Sequence, residues 1–240
     1  MVQSLSAWLD SDVRPAEGKS LRWLSEQHFF RDPVRPLFSD SNYFFSPADG
    51  ILLYQRVVEA GDAVVEIKGR NYTLKEAIRD PNFDMPCVIF GIFMTSYDVH
   101  INRLPYSGFL SYRELPAIET CNRPMLVVEE RLMRGHAFSG DDAEYLFANQ
   151  RMLNRIRAPR LGIDYFVLQI ADYDVSTVMP FELRQHRPAF QNQRFSQIRF
   201  GSQVDLVIPL SPTFDIEFCV PDGEYHVQAG VDALARVRWR

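Results

Sequence analysis

Lysine is scarce in this sequence of 240 residues. It occurs only at Lys19, Lys68 and Lys75, and arginine supplies nearly all of the positive charge. Pyridoxal phosphate enzymes hold their cofactor through a lysine Schiff base, and biotinyl or lipoyl carriers need an exposed lysine. Because no lysine follows Lys75, the sequence argues against both classes of protein.

Cysteine is equally rare, and the histidines are scattered. Cys87, Cys121 and Cys219 are odd in number, widely spaced and never paired as Cys-x-x-Cys. They are typical of free or buried thiols in a reducing compartment, not of a disulfide framework. Neither they nor the histidines have the spacing of a zinc site, so we predict that no metal is bound. The histidines to which we assign no role are His28, His136, His186 and His226.

The sequence also lacks an excess of positive charge and a long hydrophobic run. Its net charge is -5 and its isoelectric point about 5.6, whereas nucleic-acid-binding domains usually carry a basic stripe. No apolar run approaches the roughly 20 residues that span a bilayer, and the N-terminus lacks the pattern of a secretory signal. We therefore expect a cytoplasmic protein that binds no nucleic acid and at most rests on the inner face of a membrane.

Residues 1–37 differ in pattern from the rest of the chain. Charged residues and prolines interrupt short apolar stretches there, which predicts two short helices around residues 3–10 and 19–30. Their apolar faces could contact a membrane surface, but packing against a core is the more common use of such a face. We assign residues 1–37 to an N-terminal helical segment and residues 38–240 to one domain.

From residue 43 onward the pattern is typical of short β-strands separated by turns. Residues 88–94 form a continuous apolar run, which predicts a buried strand. Strands and helices do not alternate regularly, so the predicted fold class is β-rich α+β, with short-stranded sheets, a barrel-like core and a few short helices. The other predicted elements are strands near 125–131 and 163–171, helices at 72–80 and 141–157, and a surface loop at 182–197.

Three short segments combine turn-forming residues with a reactive side chain. They are Ser46-Pro47-Ala48-Asp49-Gly50, the segment from Asp98 to Pro105, and the segment from Arg199 to Leu206. Taken singly, each has a structural explanation. Asp49 precedes a glycine, as turn formers do, and the Gly-Ser dipeptide of the third segment is common in bulges and tight turns. Their combination and order are more informative.

In this order the three segments resemble the phosphatidylserine decarboxylase family, in particular its short form. That family has an SPxDG-type segment, a DxHxxxxP segment and a Gly-Ser dipeptide. The similarity runs from about residue 31 to the C-terminus and includes four further stretches. These are residues 66–74 (similar to KGxxYSL), 149–151 (Asn-Glu-Arg), 167–171 (VVQIA) and 221–230 (GDxVxAG).

The resemblance implies a decarboxylase that makes its own cofactor. The chain would cleave itself between Gly201 and Ser202 into residues 1–201 and 202–240, which stay associated. Ser202 would become a pyruvoyl group that condenses with the substrate amine and replaces pyridoxal phosphate as the electron sink. The sequence leaves open whether the protein forms a homodimer.

The chemistry of this cleavage gives roles to a few residues. Ser202 would attack the carbonyl group of Gly201, which has no Cβ to hinder the attack. A serine hydroxyl needs a base near neutral pH; we predict His100 as that base, with Asp49 orienting it as in a serine-protease triad. In turnover His100 would return a proton to the substrate α-carbon. The substrate carboxylate or a phosphate would be bound by Tyr97, Asn102 and Arg103.

Two departures from the family pattern bear on the substrate. Many relatives read DYHRxHxP, and Arg103 stands where that motif has its second histidine. A Gly-x-x-Ala-Arg-Arg sequence often follows the VVQIA strand, but residues 172–177 read DYDVST. The predicted reaction converts phosphatidylserine to phosphatidylethanolamine and CO2. The alternatives are the same chemistry on a soluble amino acid or natural-product intermediate, and a non-enzymatic, degenerate relative.

Overall fold

The computed structural model describes residues 2–36, 38–119, 121–173, 178–199 and 201–240, without the side chains of residues 21 and 25. Phe200 and residues 174–177, which belong to two of the sequence motifs, lie outside the described residues. Strands dominate and the helices are short, so the predicted β-rich α+β class is confirmed.

A nine-stranded antiparallel sheet forms the centre of the fold. In spatial order its strands are β1 (Gln3–Ser4), β16 (Tyr225–Val227), β3 (Gly50–Val58), β6 (Cys87–Met94), β14 (Ser202–Pro209), β10 (Ile163–Ala171), β9 (Arg151–Ala158), β8 (Gly108–Leu115) and β12 (Arg187–Ala189). The sheet is open, with β1 and β12 as its edge strands. β14, which begins with Ser202, is therefore the middle strand.

Two three-stranded sheets and a hairpin surround the large sheet. One small sheet consists of β11 (Val178–Pro180), β13 (Arg194–Ile198) and β7 (Ile101–Arg103). The other consists of β15 (Phe214–Phe218), β17 (Ala233–Trp239) and β2 (Tyr43–Phe45). The hairpin pairs β4 (Ala63–Ile67) with β5 (Arg70–Thr73).

The helices are short and lie mainly in the connections. They are α1 (Leu5–Trp8), α2 (Leu21–Trp23), α3 (Leu74–Ile78), α4 (Leu126–Met133) and α5 (Tyr145–Ala148). Helical turns of π type follow α1 and α2 at Leu9–Val13 and Leu24–His28, and 3₁₀ turns lie at Arg14–Ala16 and Gly140–Asp142. Within the described ranges, no helix has the length and apolar character needed to cross a bilayer.

The central sheet buries a hydrophobic core on each of its faces. Along β6, Ile89 and Phe93 belong to one core, and Phe90 and Ile92 belong to the other. Side chains of a strand point alternately to the two faces, and both faces are covered here, so β6 is apolar throughout its length. Helices and the β4–β5 hairpin cover one core, and the two small sheets cover the other.

The N-terminal segment packs onto this sheet. β1 pairs with β16, and Leu5, Trp8 and Val13 are buried in the helix-covered core. The two predicted helical regions correspond to helical turns over residues 5–16 and 21–28. The buried apolar residues of the first region therefore pack against the core.

Three predictions of local structure are wrong. The strand predicted near 125–131 is α4, because the buried Val128 and Leu132 are four residues apart and lie on one helix face. The helix predicted at 141–157 is too long: α5 lies within it, but residues 151–157 belong to β9, where the exposed Arg155 and Arg157 alternate with the buried Ile156 and Ala158, which is a strand period. The loop predicted at 182–197 contains β12 and most of β13.

Candidate active site

The Gly201–Ser202 bond lies at the start of the middle strand of the sheet. Ser202 is the first residue of β14 and pairs with Met94 of β6 on one side and Ala171 of β10 on the other. Both partners are the last residues of their strands. The bond therefore lies where the connection from β13 enters β14, a strand that pairs with a neighbouring strand on each side.

The hydroxyl group of Ser202 is buried and lies 3.4 Å from the sulfur atom of Met94. The side-chain amide of Asn102 approaches the same sulfur at 3.7 Å, so Asn102 and Ser202 are neighbours across Met94. Gln169 holds Asn102 by donating to its Oδ1 at 2.6 Å, and Asn154 donates to Oε1 of Gln169 at 2.8 Å. We call the side-chain amides of Asn102, Gln169 and Asn154 the amide cluster. Its hydrogen bonds hold Asn102 in place near the serine.

His100 is fully buried, and its ring stacks on Phe29 with centroids 3.7 Å apart. Its Nδ1 lies 3.0 Å from the backbone carbonyl oxygen of Asp98. A carbonyl oxygen can only accept, so Nδ1 carries the proton and Nε2 has a free lone pair. Burial lowers the pKa of His100 to about 4, which keeps the ring neutral near pH 7. Nε2 has no hydrogen-bond partner among the described residues.

The connection before β14 brings His100 close to the candidate cleavage bond. The amide of Ile198 donates to the backbone carbonyl of His100 at 3.0 Å, and Ile198 precedes Gly201 by only three residues. On the other side, β7 leads from His100 to Asn102, the neighbour of Ser202 across Met94. The predicted base and the predicted nucleophile are thus linked through Ile198 on one side and through Asn102 and Met94 on the other.

Asp49 has partners other than His100. Its carboxylate forms a buried ion pair with Arg35, with distances of 2.5 and 2.6 Å, and accepts from the amide of Ala229 at 2.7 Å. The orienting contact that we predict from Asp49 to His100 is therefore made instead by the carbonyl group of Asp98. Arg35 cannot be recognised as a site residue from the sequence, because a single arginine outside the motifs has no distinctive pattern.

A second histidine, His226, pairs with an aspartate beside the site. Its Nε2 lies 2.6 Å from the carboxylate of Asp98, which also accepts from the amide and hydroxyl of Thr95. Burial alone would raise the pKa of Asp98, but His226 and Thr95 outweigh it and hold this pKa below its usual value. Trp8 stacks on the imidazole with centroids 4.4 Å apart. The pair of Asp98 and His226 cannot be recognised from the sequence, because its members lie 128 residues apart in the chain.

The three residues predicted to bind substrate have different surroundings. Arg103 is buried and donates to the carbonyl group of Asn192 at 3.0 Å. Asn102 belongs to the amide cluster. Tyr97 instead lines a cavity of about 530 Å³ between the N-terminal segment, the loop after β6 and α4. The other residues of this cavity include Leu9, Val13, Ser96, Glu129 and Met133.

Two carboxyl groups face the glycine of the candidate cleavage bond. A Cβ atom on Gly201 would lie 3.0 Å from Oδ2 of Asp172 and 3.8 Å from Oε2 of Glu129. Burial raises the pKa of Asp172 to about 6, and burial also raises the pKa of Glu129. In the sequence, Asp172 is visible only as the first residue of the altered DYDVST segment, and Glu129 belongs to α4, which we predict as a strand.

Known proteins match the chain over most of its length. A family model described as phosphatidylserine decarboxylase matches residues 27–235. A putative archaetidylserine decarboxylase proenzyme of Methanopyrus kandleri is 30% identical over 213 residues, which cover 88% of this chain and 81% of that protein. A protein of the same name from Methanocaldococcus jannaschii is 28% identical over 184 residues, covering 76% of this chain and 77% of that protein.

A bacterial relative gives a similar match. The phosphatidylserine decarboxylase proenzyme of Erythrobacter litoralis is 29% identical over 210 residues, covering 87% of this chain and 72% of that protein. The family model covers far more than half of the chain, including Gly201, Ser202 and His100. The chain therefore belongs to the phosphatidylserine decarboxylase family of carboxy-lyases.

Proposed function

We propose that this protein is a pyruvoyl-dependent decarboxylase that matures by cleaving itself between Gly201 and Ser202. The observation that carries the proposal is the state of His100. Its Nε2 is buried, unprotonated and without a hydrogen-bond partner among the described residues, in the region of Ser202. An unpaired buried acceptor costs about 1–3 kcal/mol, and a role as proton acceptor accounts for that cost.

The residues around the bond fit the formation of a pyruvoyl group. Gly201 presents no Cβ to an approaching hydroxyl group. Among the described residues, the hydroxyl of Ser202 is engaged only by a sulfur atom, which is a weak acceptor. Once formed at position 202, the ketone would supply the electron sink that α-decarboxylation requires.

In this proposal the chain's own side chains move the protons. His100 takes the hydroxyl proton of Ser202 as the oxygen attacks the carbonyl carbon of Gly201, so that an ester replaces the peptide bond. Elimination across Ser202 then releases Gly201 as a carboxylate. The carbonyl group of Asp98 keeps the proton on Nδ1 of His100, which leaves Nε2 as the only exchanging atom. In turnover, His100 returns a proton to the substrate α-carbon.

We infer a phospholipid with a serine headgroup as the substrate. The relatives are named phosphatidylserine or archaetidylserine decarboxylase proenzymes. The cavity beside Tyr97 has apolar side chains, Leu9, Val13, Leu126 and Met133, among charged ones, and the apolar ones suit an acyl chain. A second candidate is a soluble amino acid without a phosphate. It is favoured by Asp172 and Glu129, because two carboxylates at the site would repel a phosphodiester.

Denaturing gels and intact mass of the purified protein test the cleavage. We expect two fragments divided between residues 201 and 202, the shorter one blocked to N-terminal sequencing. A Ser202→Ala variant should remain a single chain of 27.8 kDa. A wild-type chain that stays whole after long incubation, or a variant that still splits at this bond, contradicts the proposal.

A separate assay tests the substrate. Mature protein is incubated with phosphatidylserine vesicles and, in a parallel reaction, with free amino acids, and CO2 and amine products are measured. We expect phosphatidylethanolamine from the vesicles and no product from Ser202→Ala. Amine formed only from the free amino acids would rule out the lipid substrate but leave the self-cleavage proposal intact.

A further inference from the structure

The carboxyl group of Asp172 lies against the residue whose carbonyl group would be attacked during self-cleavage. Its Oδ2 is 3.0 Å from the position that a Cβ atom of Gly201 would occupy. A carbonyl carbon is two covalent bonds from the Cβ of its own residue, so Oδ2 lies within about 6 Å of the attacked carbon. None of the proton transfers described above uses this carboxyl group.

Asp172 is held in place through its other oxygen. Oδ1 accepts from the backbone amides of Met125 at 2.8 Å and Tyr173 at 2.7 Å, and no described residue donates to Oδ2. The titratable groups that face the carboxyl group are Glu129 on α4 and Tyr145 on α5. No arginine, lysine or histidine in the described part of the chain forms an ion pair with it. Two backbone amides therefore stabilise its charged form, but no opposite charge among the described residues does so.

The charge of Asp172 matters because the attack by Ser202 creates an oxyanion on Gly201. A neighbouring carboxylate repels this charge, whereas a protonated carboxyl group can donate a hydrogen bond to it. We propose that Asp172 controls the rate of self-cleavage through its charge: the protonated group promotes the attack on Gly201, and the carboxylate retards it. This inference rests on the proposed function, since it presupposes self-cleavage at this bond.

The protons balance within the site. His100 takes the hydroxyl proton of Ser202 as the bond from Oγ to the carbonyl carbon of Gly201 forms, and Asp172 shares its own proton with the oxyanion. When the carbon–nitrogen bond between the two residues breaks, the amine nitrogen of Ser202 takes the proton from His100. The carbonyl group reforms, and the shared proton stays on Asp172.

The predicted consequence is a cleavage rate that falls as the pH rises. Burial raises the pKa of Asp172 to about 6, and the protonated fraction of such a group falls about thirtyfold between pH 5 and pH 7.5. The pKa of His100 is about 4, so this ring stays neutral over the same interval. Asp205, three residues after Ser202, also has its pKa raised to about 6 by burial and needs a variant of its own.

The experiment follows cleavage of the full-length chain, made by cell-free translation and chased at about pH 5, 6 and 7.5 on denaturing gels. The wild-type rate should fall about thirtyfold over this interval. Asp172→Asn keeps an oxygen for the Met125 amide, carries no charge and can donate to the oxyanion. It should cleave at least about tenfold faster than the wild type at pH 7.5 and show no decline. Asp205→Asn should retain the wild-type decline.

The outcomes separate this inference from the proposed function. An Asp172→Asn chain that cleaves at the wild-type rate or more slowly at pH 7.5 overturns the inference. The inference is also overturned if the fall of the cleavage rate with rising pH is lost in Asp205→Asn but not in Asp172→Asn. If the asparagine variant does not fold, Asp172→Gly also removes the charge, and its cleavage rate should likewise not fall with rising pH. No wild-type cleavage at any pH, or cleavage of Ser202→Ala, would count against the proposed function instead.

Discussion

At the scale of single residues, buried carboxyl groups set the electrostatics near the start of β14. Asp205 is fully buried and accepts from the hydroxyl of Tyr54 at 3.1 Å and the amide of Gln203 at 2.7 Å. Its Oδ2 has no partner among the described residues. Burial raises the pKa of this carboxyl to about 6. Folding therefore disfavours its charged form.

This shift predicts a pH dependence of stability. The pKa of Asp205 in the folded state lies above its unfolded value of about 4. Its contribution to the free energy of unfolding is therefore complete below pH 4 and is lost as the pH rises through about 6. A shift of about two units corresponds to at most about 3 kcal/mol. In the uncleaved Ser202→Ala background, urea unfolding should show that Asp205→Asn loses less stability between pH 4 and pH 8 than its parent.

The matched control for this measurement is Asp141→Asn, which changes an exposed carboxylate. It should follow the parent at every pH. If Asp205→Asn lost as much stability on raising the pH as the parent does, the predicted linkage would be wrong.

The pair of Asp98 and His226 gives a second prediction at this scale. His226→Leu leaves the carboxylate of Asp98 buried without its main partner, which should lower the free energy of unfolding by about 3–5 kcal/mol. Self-cleavage should also slow, because the backbone of Asp98 orients His100. Urea unfolding and the gel assay measure the two effects. His136→Leu, at an exposed position, is the control and should change neither.

At the scale of elements, the strands at the centre of the sheet combine two buried faces with very close packing. Val204 and Leu206 of β14 belong to one core and Val207 to the other, and all eight residues of the strand are buried. In β6, Gly91 leaves the space that the ring of Tyr54 occupies. The apolar run at 88–94 indicates a buried strand, but the need for glycine at 91 comes from a side chain on β3.

Gly91→Ala should therefore destabilise the sheet. A Cβ atom at this position would lie 2.2 Å from the ring carbon Cζ of Tyr54, and overpacking of a well-packed core costs about 1–3 kcal/mol. Urea unfolding in the Ser202→Ala background measures the loss. Gly61→Ala is the control, since nothing lies within 4 Å of the added methyl group. Equal unfolding midpoints for the two variants would contradict the predicted clash.

At the scale of the whole molecule, cleavage after Gly201 would divide the chain without dividing the fold. Residues 202–240 contain β14 to β17. β14 lies between β6 and β10, β16 pairs with β1 and β3, and β17 pairs with β2. Every one of these partners belongs to residues 1–201. The strands of the shorter fragment therefore pair with strands of the longer fragment in both the large sheet and one small sheet.

We expect the two fragments to remain associated after cleavage. On size-exclusion chromatography in native buffer they should elute together, and they should separate only in denaturant, because exposing β14 would expose both cores. Gels of the eluted fractions provide the measurement. Elution of the shorter fragment on its own in native buffer would show that the strand pairing does not hold the chains together.

The family and the β-rich fold class can be predicted from the sequence alone, because short contiguous patterns carry both: ordered motifs around His100 and Ser202, and apolar runs separated by turns. The partners of the charged groups depend on the tertiary structure. Asp49 contacts Arg35, Asp98 contacts His226 across 128 residues, and Asp172 faces Gly201. These partners cannot be predicted from the sequence, because an ion pair or a shifted pKa depends on distance and burial. Strands far apart in the chain create both only when they meet in one sheet.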